Sequence, residues 1–224
     1  MQAMPHAPGP DRVWYLVRHG ETEWNAESRM QGQLDSSLTE RGREQAQGSA
    51  ALLARLGVDT MFASPLGRVR ETVAIIAPVV PLPVTYDDRL KEWSSGVWSG
   101  STYAEVEARW PVEFAAWVAD RCTYRSPGGE NFEDLLVRAR SFVDDASRVA
   151  GARVAIIAHG FLNRALATAL LSLPPREMLR IRQPNDTVIR IVYRDSVATV
   201  DHFDGGSGPI DGLPVGPAHA KVTA

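Results

Sequence analysis

The sequence predicts an α/β fold, a three-layer α/β/α sandwich with a mostly parallel central sheet. Three observations carry that expectation. The runs VWYLV (13–17) and RVAIIA (153–158) lack polar alternation, as strands buried on both faces do. Segments of helical period separate these runs from other strand-like stretches. The resulting order, strand and helix alternating and then closing on strands, is that of a sheet covered by helices on both faces. With 224 residues and 44% hydrophobic content, the chain can build one large core or two small ones.

Each element has its own signal. After the strand at 13–17, Thr39 is placed to cap a helix running to Leu56. Ala46, Ala50, Leu53 and Leu56 share one face of it, and Gly57 suits its C-terminal cap. DTMFAS (59–64) reads as a second strand. Pro65 then opens a helix carrying Val69, Val73 and Ile76. PVTYDDRL (83–90) reads as a third, more exposed strand. Residues 101–119 read as helical with a break at Pro111. From Asn131 to Val149 the period is strongly amphipathic, with Phe132, Leu135, Leu136, Ala139, Phe142, Val143 and Ala146 inward. The strand at 153–158 is followed by a helix near 162–171. TVIRIVYRD and VATVDHF alternate and read as a closing hairpin.

The domain expected from this pattern spans 13–203. Residues 1–12 hold three prolines and read as a flexible tail. Residues 204–224, rich in glycine and proline, read as a second poorly structured tail, with a lid over a site as the alternative. The net charge of −3 offers no basic excess for nucleic acid. No apolar run approaches the roughly 20 residues that span a bilayer, and no partner membrane is implied. The N-terminus lacks the apolar stretch of a secretory signal. Cys122 is the single cysteine, so no internal disulfide forms, and a reduced cytoplasmic setting is the expectation.

Two buried strands end on the same dipeptide. LVRHGET stops on Arg18-His19-Gly20, and IIAHGFLNR on His159-Gly160. Ligands in such sheets bind beyond the carboxyl ends of the strands, so both histidines and the turn at Ser64-Pro65-Leu66, with Arg68 beyond it, are brought to one edge. A guanidinium at the end of a buried strand is costly to desolvate without a partner, and its fork matches a carboxylate or phosphate. Metal-binding spacings such as HExxH and CxxC are missing, and Arg18 and Arg68 oppose a dication. No G-x-S-x-G elbow is present to make a serine the nucleophile, and Ser64 reads as a turn or helix cap. The remaining option is His19 as a nucleophile on phosphorus. Arg18, Arg68 and His159 would screen the phosphoryl oxygens, and Glu92, in LKEWSSGVWSG, is the best acid for the leaving oxygen.

On these residues the chain resembles the histidine phosphatase superfamily, the phosphoglycerate mutase-like branch 1. LVRHGET is similar to its signature, and RMQGQLDSSLTERGREQA to the stretch that follows. SPLGRVRETV resembles the segment supplying the second arginine, LKEWSSGVWSG that of the acid, and SPGGENFEDLLVR and IIAHGFLNR the last two. The resemblance implies the phosphoglycerate mutase-like fold. It implies His19 as a phosphohistidine nucleophile, Arg18, Arg68 and His159 as the phosphate pocket, and Glu92 as acid and then base. It also implies phosphate contacts from Asn25 and the Gly160 N–H, a substrate-facing place for Gln31 and Gly32, a supporting role for Glu21 and Thr22, no cofactor and no metal.

The resemblance covers phosphatases, mutases and non-catalytic binding proteins. All the residues the chemistry needs are present, which favours an enzyme. Mutases of the family carry an Arg and a Tyr after the acid, where this chain has Trp93-Ser94-Ser95-Gly96, and a longer segment than 93–129 before the GGE motif. Both departures point to a metal-independent phosphomonoesterase acting on a small phosphorylated metabolite, with a phosphoglycerate mutase as the alternative. Ser99 stands where many members carry a Glu. Trp93, Trp98, Phe161 and Tyr124 are candidates for an apolar wall, and Arg125 for a second anion contact or for solvent. Monomer and homodimer are both compatible with the sequence.

Overall fold

The computed structural model describes residues 11–216. Seven strands form one sheet in the order β3-β2-β4-β1-β5-β6-β7. They are β1 (Arg12–Arg18), β2 (Thr60–Ala63), β3 (Val84–Tyr86), β4 (Arg153–Ala158), β5 (Thr187–Arg194), β6 (Val197–Asp204) and β7 (Ser207–Asp211). The four strands β1 to β4 run parallel, and β5, β6 and β7 extend the sheet antiparallel beside β1.

The central strands show why polar alternation is missing. Trp14 and Leu16 enter one core while Tyr15 and Val17 enter the other. In β4, Val154, Ile156 and Ala158 face the first core, and Ala155 and Ile157 the second. One face is covered by α2 (Glu40–Leu56) and α3 (Gly67–Ile76). The other is covered by α4 (Tyr103–Arg109), α5 (Pro111–Ala119), α6 (Phe132–Val149) and α7 (Gly160–Leu170). A single turn, α1 (Glu23–Ala26), follows β1. Among the described residues no helix is long and apolar enough to cross a membrane.

Local chemistry sets the helix ends. Thr39 caps α2 by accepting from the Gly42 N–H, and Gly57 closes it with φ +67°. Thr22 with Asn25, Thr102 with Glu105, and Asn131 with Asp134 form capping boxes at α1, α4 and α6. Pro111 at the start of α5 separates it from α4, as a residue without an N–H should. Helix α3 begins at Gly67, with Leu66 as its cap, so Pro65 lies in the turn before the helix rather than opening it. The third strand is shorter than 83–90, because Asp88–Leu90 turn into a 3-10 helix.

The C-terminal expectation needs correction. Residues 205–216 do not form a loose tail. Gly205 and Gly206, with φ of +53° and +84°, make a tight turn into β7, which pairs with β6. Positive φ at both positions is what a two-residue hairpin turn demands. Beyond it, Val215 bridges Ile181, and Arg182 N–H donates to Pro214 O. The first ten residues of the N-terminal tail and residues 217–224 lie outside the described residues, and Arg12 already belongs to β1.

Candidate active site

Parallel register is what brings the two His-Gly pairs together. Arg18 of β1 pairs with Ala158 of β4, so His19 and His159 leave the sheet side by side. Their rings stand edge to face with centroids 5.3 Å apart. Strand β2 lies on the other side of β4, with Ala63 opposite Ile157, and this delivers Ser64 to the same edge. Ser64 Oγ is 2.7 Å from His159 Nε2, so Ser64 orients the second histidine, a role beyond the turn or cap read from its sequence.

The two glycines serve different close approaches. A Cβ on Gly20 would overlap the backbone of Gly42, so its absence lets the first turn of α2 pack against the strand end. A Cβ on Gly160 would lie 3.4 Å from the Arg18 guanidinium carbon, so the bare position leaves room for that fork. Gly160 also begins α7, whose N-terminus faces the site.

His19 is buried, and its tautomer is assigned by its partners. Nδ1 lies 2.7 Å from Gly20 O, a carbonyl that can only accept, so the proton sits on Nδ1. Nε2 then carries the lone pair and accepts from Arg68 Nε–H at 3.3 Å. Burial, then Arg68 and Arg18, hold this imidazole well below its ordinary pKa of 6.5. His159 is likewise pushed well below 6.5 by burial first, then by Arg68, His19, Arg138 and Arg18. Both rings are therefore neutral at neutral pH. The expectation that His159 brings a positive charge is corrected accordingly. It brings a buried Nδ1 that has no hydrogen-bond partner.

The positive charge belongs to the arginines. Arg68 is 1% exposed and spends its fork on Asp35 at 2.8 Å, on Gly32 O at 2.8 Å and on Leu34 O at 2.5 Å. Arg18 donates from Nη1 to Gln183 O at 2.7 Å, and its buried Nε has no partner. Asn185 ties the same segment to the strand end by donating to His19 O at 2.8 Å.

Glu92 sits across from them, half-buried. Its carboxylate accepts from the N–H groups of Phe161 and Leu162 at 3.2 and 3.1 Å, and from Trp93 at 2.9 Å. The loop that carries it is fixed by Arg138, which donates to the carbonyls of Arg89, Lys91 and Glu92 and pairs with Glu130 at 2.9 Å. Glu130 in turn accepts from Ser94 N–H at 2.9 Å.

One cavity of about 360 Å³ gathers most of the residues read from the sequence: Arg18, His19, Arg68, Glu92 and Gly160, with Asn25, Gln31 and Gly32. That volume lies at the low end for small-molecule sites. Gln31 is held by a bond to Thr22 Oγ1 at 2.8 Å. Gly32 has φ +53°, and Ser95 and Ser99, which share a hydrogen bond of 2.8 Å, leave no room there for a side chain. Ser99 therefore packs behind the cavity wall.

Of the proposed aromatic wall, Trp93 and Phe161 line the cavity. Trp98 is fully buried and stacks on Tyr124, its ring centroid 6.3 Å away. Arg125 pairs with Asp134, away from the cavity. The sequence reading missed the lining residues Tyr103, Arg121, Arg164 and Arg182. Arg164 had a signal, one helical turn beyond Gly160 in the same motif. Arg121 and Arg182 come from segments with no pattern of their own. Among the described residues, no group of three His, Cys, Asp or Glu side chains is placed to hold a metal ion.

A parallel-strand edge carrying paired histidines among arginines defines a phosphoryl-handling α/β protein. The chain belongs to the histidine phosphatase superfamily (branch 1), whose sequence profile it matches over residues 14–204. It is 36% identical over 187 residues to a probable phosphoglycerate mutase GpmB of Shigella dysenteriae, an alignment covering 82% of this chain and 86% of the relative. It superposes on the mycobacterial glucosyl-3-phosphoglycerate phosphatase in complex with VO3 with a TM-score of 0.73 at 33% identity, covering 80% and 92% of the two chains. A putative α-ribazole-5'-P phosphatase of Escherichia coli shares the fold with a TM-score of 0.82 at 24% identity, covering 89% and 99%. The family and these neighbours support a phosphomonoester hydrolase of the phosphoglycerate mutase family.

Proposed function

We propose that the chain is a metal-independent phosphomonoesterase that cleaves a small phosphorylated metabolite through a phosphohistidine on His19. The carrying observation is the state of His19. It is neutral, its Nδ1–H is tied to Gly20 O, and its Nε2 carries the lone pair, which accepts from Arg68 Nε–H until a substrate takes it up, in a cavity lined by arginines. Nε2 attacks phosphorus as the bond to the ester oxygen breaks, and Glu92 gives that oxygen its proton. Water then attacks the phosphohistidine, Glu92 takes its proton, and the P–N bond breaks to return neutral His19. Arg18 and Arg68 stabilise the oxygens as charge develops. The unpartnered His159 Nδ1, Asn25 and the Gly160 N–H are the remaining donors for the phosphoryl group. The sheet from β1 to β7, residues 12–211, with its helices forms the catalytic domain in this reading.

Label from a phosphorylated substrate, trapped by rapid denaturation, should be acid-labile and alkali-stable and map to His19. The His19→Ala variant should lose both label and turnover. Label on another residue, or turnover surviving in that variant, would refute the mechanism.

A phosphoglycerate mutase is the second reading. The curated relatives and the extra arginines of the cavity favour it. Against it stand Trp93-Ser94 beside the acid and the short 93–129 segment, which offer little to exclude water from a phosphohistidine. Phosphate release and primer-dependent isomerisation of phosphoglycerates, measured on one preparation, separate the two. Isomerisation much faster than release would leave the phosphohistidine standing and overturn the hydrolase.

A further inference from the structure

The second histidine is held from behind. Ser64 leaves β2 beside β4, where its N–H donates to Ile157 O at 3.0 Å, and its Oγ meets His159 Nε2 at 2.7 Å. Both side chains are fully buried. Nδ1 of the same ring has no hydrogen-bond partner among the described residues, and the ring centroid stands 5.3 Å from that of His19. A phosphoryl group offers acceptors only, so Nδ1 can serve it only as a donor. A neutral imidazole carries one proton for its two nitrogens. Which nitrogen holds it is set by the hydrogen bond that the other makes.

Two arrangements fit the 2.7 Å contact. In the first, Nε2–H donates to Ser64 Oγ. The serine hydrogen then needs an acceptor of its own, and among the described residues it has none besides His159. Nδ1 is left as a bare lone pair, which repels a phosphoryl oxygen. In the second, the Ser64 hydroxyl donates to Nε2 and the proton sits on Nδ1. Ser64 Oγ keeps a lone pair for the Leu66 N–H, 3.4 Å away, and the unfilled group is an Nδ1–H donor. A buried hydroxyl hydrogen without an acceptor is unfavourable, and so is a lone pair turned towards an anion. The second arrangement avoids both.

We propose that Ser64 is a positioning residue that fixes His159 as its Nδ1–H tautomer, so that the second histidine meets the phosphoryl group as a neutral hydrogen-bond donor. This rests on the phosphohistidine reading for what the donor acts on. The two rings then share a tautomer and have opposite duties. His19 gives its Nδ1–H to Gly20 O and keeps the Nε2 lone pair for phosphorus. His159 has its Nε2 lone pair occupied by Ser64 and offers Nδ1–H to the phosphoryl oxygens. Ser64 thereby also keeps His159 from competing as a nucleophile.

The test reads the tautomer and the rate separately. Histidine labelled for nitrogen NMR is incorporated into the wild type and into Ser64→Ala, Ser64→Thr and Ser64→Val, with the His159 signals assigned by their loss in His159→Asn. At neutral pH the wild type should show His159 protonated on Nδ1 and bare on Nε2. In Ser64→Ala and Ser64→Val the two nitrogen signals should draw together as the proton is shared between them. In both variants kcat should fall about 10–100-fold, the effect of leaving the buried Nε2 without its donor. The loss should be equal on aryl and alkyl phosphates, because the donor serves the phosphoryl oxygens and not the leaving group. Ser64→Thr has the shape of Ser64→Val with the hydroxyl kept, and it should hold the wild-type tautomer and restore most of the rate. A wild-type His159 protonated on Nε2, or a tautomer and rate unchanged in Ser64→Ala, overturns the proposal. So does a folded threonine variant that does no better than the valine one. The wild-type spectrum needs no change at Ser64 and decides the case in which those substitutions do not fold. It is also independent of turnover. An Nδ1–H His159 in a protein that forms no label on His19 keeps the role of Ser64 and removes the phosphohistidine.

Discussion

Two neutral histidines buried among arginines make the fold sensitive to acid, and the size of the effect follows from linkage. Burial with Arg68 and Arg18 lowers His19 well below 6.5, and burial with Arg68, His19, Arg138 and Arg18 does the same to His159. In the unfolded chain both imidazoles titrate near 6.5. Below that pH the unfolded state binds protons that the folded state refuses, so stability falls as pH drops. At pH 5.5 the two histidines kept neutral together cost up to about 3 kcal/mol more than at pH 7.5. That is a large share of a typical 5–15 kcal/mol and corresponds to up to about 10 °C in Tm for a chain of this size. Urea unfolding at both pH values, on the wild type and on the His19→Asn/His159→Asn double variant, isolates the term, because carboxylates and other histidines are common to both. The wild type should lose more than the variant, by up to about 3 kcal/mol. Saturating inorganic phosphate should shrink the difference, since a bound anion offsets Arg18 and Arg68. Equal losses in the two proteins would mean that the histidines are not held neutral, and the nucleophile would have to be sought in a different protonation state.

The remaining predictions concern single groups. Arg68→Ala should lower kcat by about 10²–10³, because it removes a preorganised charge and the partner of His19 Nε2. Glu92→Gln should spare aryl phosphates more than alkyl phosphates, since a good leaving group hardly needs the proton, and Arg138→Gln should show the same bias through the loop it anchors. Equal losses on both substrate types would remove Glu92 as the acid. Gly42→Ala should destabilise the protein in thermal unfolding although alanine is about 1 kcal/mol better than glycine inside a helix. The added methyl would overlap the Glu21 carbonyl oxygen and stand 2.8 Å from its amide nitrogen, so a stabilised variant would show that α2 can back away from the strand end. Turnover should survive EDTA and be blocked by vanadate, and activity lost to chelation and restored by a divalent ion would contradict an anion pocket built from arginines.

How far the sequence reveals the site depends on whether a residue's neighbours are set by local pattern or by long-range packing. The unbroken apolar runs of β1 and β4 announce buried strands, and the shared His-Gly endings place two histidines at one edge. The register of Arg18 against Ala158 turns that into contact. The cap at Thr39 and the amphipathic face of α6 are local and equally legible. β7 was hidden because glycine and proline suggest disorder as readily as a hairpin, and the deciding signal, two adjacent glycines after an alternating strand, is short. Ser64 concealed its role because a Ser before Pro suits a turn, while its partner His159 lies 95 residues away. Trp98 and Tyr124 read as a wall because aromatic residues near a glycine-rich loop serve a core and a cavity equally well, and here packing on Trp117 takes Trp98 inward. Arg121 and Arg182 carry no signal, since an isolated arginine in a connecting segment is usually a solvated one.

The catalytic cavity is a place where the fold works against itself. Strand ends and helices bring Arg18, Arg68, Arg121 and Arg164 to one cavity, where Arg68 is paired with Asp35 and, among the described residues, the lining carboxylates are Glu21 and Glu92. Neutral histidines limit the repulsion and at the same time leave His19 Nε2 with the lone pair that attack on phosphorus requires. An anionic ligand then acts twice, as substrate and as a further counter-charge. Because a ligand that binds only the folded state stabilises it by RT ln(1 + [L]/Kd), the same compounds that are turned over best should also raise Tm most in the His19→Ala variant. With a ligand at 100 times its Kd, that gain is about 2.7 kcal/mol. A phosphomonoester turned over by the wild type that leaves the Tm of the His19→Ala variant unchanged at a concentration well above its KM would show that the cavity arginines serve the fold and not the ligand.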